Sequence, residues 1–160
     1  MMDDAEGGLE NVRKGYDMWC GTGAKIHVPF WLSLFAEIFE KNSRTEEGLQ
    51  AIRQALAESD RTGEMCWRSD IHRLHGRVLH QAGDTSTAMV ELDTAIDLAR
   101  RQDAKWFELR AIRDRSILMH QLGETERAAS ALEPIYASFT EGHDMIDLKE
   151  SRLLLKALQT

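Results

Sequence analysis

The sequence predicts an all-α chain of stacked antiparallel helix hairpins, about eight helices with a period of about 40 residues. Three observations predict it. Residues of like size recur at that period, with Thr45, Thr85 and Thr125 in register, then Gly48, Ala88 and Ala128, then Ile52, Leu92 and Leu132, then Ala55, Ala95 and Ile135. The preceding helix keeps the same register through Ala36, Gly76 and Ser116 and through Phe39, Leu79 and Met119, and Ser43, Gly83 and Gly123 share the turn. Finally, the chain holds only two prolines and no convincing alternating strand segment. A hairpin cannot bury its apolar face alone, so matched copies must stack into one continuous core.

The central copy, Met65 to Gln102, gives the grammar. Gly76 and Ala88 lie 12 residues apart on facing sides of two helices joined at Gly83-Asp84, where small side chains let the backbones approach. Leu79, Leu92 and Ile96 fill the space around them. This small–turn–small spacing resembles the tetratricopeptide repeat, so the expected architecture is a tetratricopeptide-like superhelical array. The copies are longer than the common repeat and lack its terminal proline.

Taken in order, 5–22 reads as a half repeat. Met1 to Gly8 is acidic and expected to fray, with a helix following from Leu9 to Cys20. Gly8, Leu9, Val12 and Tyr16 match Gly48, Leu49, Ile52 and Leu56, which makes this helix the second half of a hairpin. Repeats are expected over 26–61, 65–102 and 105–141, with a closing helix over 145–158. Pro29 suits the first turn of a helix over 28–42, where a missing N–H costs little. Thr45, Thr85 and Thr125 read as N-caps, with Glu46, Glu47 and Glu126 placing negative charge at helix starts. Pro134 is expected to bend its helix. The closing helix turns Ile146, Leu148, Leu153, Leu154, Leu155 and Leu158 to apolar surroundings and leaves Lys149, Glu150, Arg152 and Lys156 for solvent. No linker divides the chain, which reads as a single domain, 1–160.

Composition narrows the function. A chain of 160 residues suits one domain that buries about 70% of its unfolded surface. The net charge of −7 opposes nucleic-acid binding, which needs a basic footprint. Two separated cysteines form no disulfide framework, so a reducing cytoplasm is the simplest setting. No apolar run points to a membrane span or a secretion signal.

Candidate sites follow from the repeat register. If the first helix of each hairpin lines the concave face, Ser33, Arg73 and Arg113 form one row. Glu37, Arg77 and Ile117 form a second, and Glu40, His80 and His120, beside Lys41, Gln81 and Gln121, a third. Arg73, Arg77 and His80 share one helix face, and with Arg110 and Arg113 they make a basic strip. Guanidinium groups suit bidentate capture of carboxylates or phosphates, which points to an acidic protein or peptide partner. The commoner fate of such a face is internal pairing, here with Asp70, Asp93, Asp97, Asp114 and nearby glutamates. His72 and His75 are three apart, but no zinc-ligand spacing accompanies them, so no metal and no cofactor is expected. Cys20 and Cys66 read as small buried hydrophobes and not as nucleophiles. Trp31, Phe35, Phe39, Trp67, Trp106, Phe107, Tyr136 and Phe139 are expected in the core. Val12, Tyr16, Met18 and Trp19 lack an upstream partner helix, and that open edge predicts homodimerisation through the first helix. No acid/base pair or nucleophile with its base emerges, so the chain is not expected to be an enzyme.

Three segments are more distinctive than repeat grammar: DIHRLHGRVLHQAGD from Asp70, LARRQDAKWFELRA from Leu98 and LEPIYASFTEGHDMIDLKESRLLLKAL from Leu132. They resemble the C-terminal tetratricopeptide-like region of bacterial regulators that join a class III adenylate or guanylate cyclase domain to a predicted ATPase module. The resemblance implies a sensory or scaffolding arm. It carries over no catalytic residue, because the chain holds no G-x-x-x-x-G-K-[ST] loop. The implied function is a non-catalytic protein–protein interaction module of a signalling protein. The alternative is a sensor of a small ligand or signalling peptide bound in the concave groove.

Overall fold

In a computed structural model that describes residues 2–24 and 26–159, with side chains from Gly7 onward, the chain is all-α. Eight helices run in order among the described residues, and no strand is present: α1 (Met2–Gly21), α2 (Val28–Lys41), α3 (Thr45–Thr62), α4 (Arg68–Gln81), α5 (Thr85–Arg101), α6 (Lys105–Gln121), α7 (Thr125–Ala137) and α8 (Ile146–Leu158). The segment expected to fray is helical from Met2, while Met1 lies outside the described residues. Helices α2, α4, α6 and α8 pack side by side in one row. Helices α3, α5 and α7 each pack on the helix before and the helix after, and α1 packs on α2.

The turns explain the periodic residues. At the end of α4 the Asp84 N–H donates to the Leu79 carbonyl at 2.9 Å, and Gly83 holds φ 89°. The same closure recurs after α6, where Glu124 N–H reaches Met119 and Gly123 holds φ 84°, and after α2, where Arg44 N–H reaches Phe39 around Ser43 at φ 56°. This six-to-one bond satisfies a carbonyl left over at the helix end and needs a left-handed residue. Because the turn ends one residue earlier than expected, the N-caps are Arg44, Asp84 and Glu124, and the threonines are the first helical residues. Only Asp84 of the three caps with its side chain, accepting from Thr87 N–H. The threonines work differently: Thr85 Oγ1 lies 3.2 Å from His80 Nδ1 and Thr125 Oγ1 lies 2.9 Å from His120 Nδ1. Pro134 sits near the end of α7, which stops three residues later.

Small residues set the helix spacing where the register placed them. A Cβ on Gly76 would stand 2.7 Å from Leu92 Cγ and 2.9 Å from the Ala88 carbonyl oxygen, so only glycine fits between α4 and α5. In the next copy the Ser116 hydroxyl donates to the equivalent carbonyl, that of Ala128, at 3.1 Å. Ile52, Ala55, Ile71, Leu74 and Val78 make one core over α3 and α4. Leu109, Ile112, Leu132, Leu148 and Leu155 make another that fixes α8 to α6 and α7. The aromatic side chains flank these cores half-buried instead of filling them; Phe35, Phe39, Trp67, Trp106, Tyr136 and Phe139 all pack from the side.

Candidate functional site

A groove of about 660 Å³ runs along the α2–α4–α6–α8 row. Arg77, His80 and Gln81 of α4, with Arg110, Arg113 and Ile117 of α6, form its middle. Glu37, Glu40 and Lys41 of α2 close one side, and Ile146, Asp147 and Glu150 of α8 close the other. The expected row of Glu37, Arg77 and Ile117 therefore lines it, and the row of Glu40, His80 and His120 does so in part. Of the row of Ser33, Arg73 and Arg113 only Arg113 reaches it. All three are buried, because this position faces the seam between neighbouring helices. His120 and Gln121 stand exposed at the end of α6, outside the groove.

Arg73 is the largest fully buried side chain. Its Nε donates to Asp70 Oδ1 at 2.7 Å and its Nη1 to Asp114 Oδ2 at 2.8 Å, which links α4 to α6. Burial disfavours the charge of Arg73, yet Asp70 and Asp114 overcome it and hold the guanidinium ionised. Burial likewise pushes the Asp70 carboxyl up, and Arg73 then Arg110 pull it below its ordinary range. Arg113 Nη1 donates to Asp147 Oδ1 at 2.8 Å and lies 2.9 Å from Glu150, so α6 is tied to α8. Trp106 Nε1 donates to the other Asp147 oxygen at 3.1 Å. Arg110 reaches Asp70 at 3.2 Å, and Arg77 forks onto Glu40 of α2 at 2.8 and 3.0 Å.

The basic strip is thus internally neutralised. Four guanidinium groups, Arg73, Arg77, Arg110 and Arg113, meet five carboxylates, Asp70, Asp114, Asp147, Glu40 and Glu150. Asp70 and Asp114 are partners the sequence reading names; Asp147 is one it does not, and Glu150 is one it leaves to solvent. Their signal was available, because Leu148, Leu155 and Leu158 form the buried stripe of α8 and Asp147 sits at its border.

His72 Nδ1 lies 2.6 Å from Glu91 Oε2 and His75 Nδ1 lies 3.1 Å from the same oxygen, on the side of α4 that meets α5. Bonding to His72 and then His75 holds the Glu91 carboxyl down to about 2, against the effect of burial. Among the described residues no group of three His, Cys, Asp or Glu side chains is placed to hold a metal ion. Both cysteines are exposed, contrary to the buried reading: Cys20 sits in the last turn of α1 and Cys66 in the loop that leads into α4. Burial and then the Glu64 carboxylate push the Cys66 thiol up, away from a reactive thiolate. At the N-terminal edge, Tyr16 packs edge-on against Phe35 with centroids 5.9 Å apart, and Trp19 Nε1 donates to the Ile26 carbonyl at 2.9 Å. Val12 is half-buried, so Met18, 75% exposed, is the open one of the four edge residues. Among the described residues no helix is long and apolar enough to cross a membrane. No protein-family model matches the chain, and no curated protein matches it in sequence.

Proposed function

We propose that the chain is a non-catalytic interaction module, a tetratricopeptide-like arm that docks a protein or peptide segment in the α2–α4–α6–α8 groove. The observation that carries this reading is the groove's construction. Four helices supply its walls, and ion pairs between those helices fix the charged side chains before any partner arrives. A surface ordered in advance loses less freedom on binding, which suits a docking site. Exposed Ile117 and Ile146 give it apolar contact within a charged frame. The regulatory arm of a bacterial signalling protein, working in the cytoplasm, is the setting we infer from the resemblance to cyclase-linked regulators.

The test is a pull-down from source-cell lysate with the native chain, with Ile117→Arg/Ile146→Glu in the groove, and with Val90→Arg on the exposed surface of α5 as a control. A partner lost only with the groove variant supports the reading. A partner kept by the groove variant and lost with Val90→Arg moves docking to the opposite side. Arg73 is left intact, since its replacement would perturb the fold. A second reading, a sensor of a small ligand or signalling peptide, draws on the groove volume, which falls within the range of ligand pockets. It predicts a large thermal stabilisation by one compound, unchanged by Val90→Arg.

A further inference from the structure

Resting on that docking reading, the charges of the groove rims specify the partner more narrowly than a basic strip would. The arginines at the centre are consumed. Arg113 is 7% exposed and already holds Asp147, and Arg77 is forked onto Glu40. The two lining charges that face solvent are at opposite sides. Lys41 on α2 is 61% exposed, and Glu150 on α8 is 51% exposed. Lys41 is held by Glu37, one helical turn away, and Glu150 is the surplus carboxylate on Arg113, so each pair exchanges readily with an incoming charge. Ile117 on α6 is exposed between the rims, and Ile146 is exposed on α8 near Glu150.

We infer that the groove takes a peptide segment of mixed charge, with an acidic group for Lys41, a basic group for Glu150 and an apolar centre over Ile117 and Ile146, and not a uniformly acidic partner. Three interhelix spacings of about 8–10 Å separate α2 from α8. An extended chain covers that span in roughly eight residues.

Three fluorescein-labelled nine-residue peptides with one leucine-rich centre test it by anisotropy at low salt. Their flanks are glutamates at both ends, lysines at both ends, or glutamates at one end and lysines at the other. The native chain is expected to bind the mixed peptide about three- to fivefold tighter than either uniform one, the range an exposed ion pair supplies. Glu150→Lys moves the preference to the glutamate-flanked peptide, and Lys41→Glu moves it to the lysine-flanked one. Glu133→Lys, an exposed change on α7 that alters net charge as much as Glu150→Lys, leaves the native ranking in place. Circular dichroism confirms that every variant is folded. One ranking shared by all four proteins overturns the rim assignment while leaving docking intact. Binding of none of the peptides by any of the proteins overturns the docking reading and the inference with it.

Discussion

The first and central hairpins share a register and differ in what holds them. At the position of Arg73 the first hairpin carries Ser33, whose hydroxyl bonds to its own helix at the Phe30 carbonyl, 2.7 Å away. At His72, His75 and Glu91 the first hairpin carries Leu32, Phe35 and Ala51. Those residues line an apolar hollow of about 340 Å³ between α1 and α3, where the central hairpin has a carboxylate clasped by two imidazoles. The first hairpin is therefore specified by shape, and the central one by charges that must be matched. An ion pair inside a seam adds little net stability over an apolar isostere, but removing one partner is costly. The central hairpin should be the more brittle of the two.

The largest effect should come from Arg73. Replacing it with methionine strands Asp70 and Asp114, both buried, without their shared cation. A loss of about 3–5 kcal/mol is expected in urea denaturation. Ser33→Ala in the first hairpin should cost about 1 kcal/mol or less, since it removes one neutral bond. Equal losses at the two sites would show that the Arg73 seam is not under charge control.

Next come the glycines. Gly76→Ala forces its methyl group against Leu92 and the Ala88 carbonyl and should cost about 1–3 kcal/mol. Gly48→Ala meets Val78 Cγ1 at 3.4 Å, Val78 Cγ2 at 3.5 Å and Phe39 Cβ at 3.7 Å, ordinary contact distances, and should gain about 0.5–1 kcal/mol from the better helix former. Thermal melts of the two variants should move in opposite directions. A gain at Gly76 would mean that α4 and α5 can part at little cost.

Glu91 separates the hairpins by pH. Its folded carboxyl titrates at about 2, below its ordinary value of 4.5, so its contribution is complete above pH 4.5 and disappears as pH falls towards 2. Glu91→Gln should flatten that part of the stability-against-pH curve. Gln50→Glu, placing a carboxylate beside the apolar hollow, should not reproduce it, because no imidazole waits there. An unchanged acid limb in Glu91→Gln would assign acid sensitivity to the Arg73 network instead.

How much of this was legible depends on the range of each interaction. The period, the close approach at Gly76 and the turn at Gly83 follow from local spacing, and the structure keeps them. The caps were displaced by one residue, because the turn after each first helix consumes Ser43, Gly83 or Gly123 and the next residue before the helix begins. The arginines were assigned to the right helices and, for Arg73, to the wrong side. Helical periodicity fixes which residues share a face, but rotation about the axis depends on partners 34 to 41 residues away, as Arg113–Asp147 and Arg73–Asp114 show. Sequence spacing carries no direct trace of such pairs.

The smallest expected effect tests the turns that both hairpins share. Ser43 holds φ 56° where the other two copies use glycine, and a side chain in that region is disfavoured by about 1–2 kcal/mol. Glycine there gives back part of the gain through its freer unfolded chain, so Ser43→Gly should stabilise by about 0.5 kcal/mol. Gly83→Ala, at φ 89°, should cost about 1 kcal/mol. Because Ser43 is exposed and its hydroxyl reaches only Gln81 Nε2 at 3.5 Å, the change touches backbone strain and little else. A destabilised Ser43→Gly would show that the weak bond to Gln81 outweighs the turn, and that the first hairpin relies on polar contact with α4 after all.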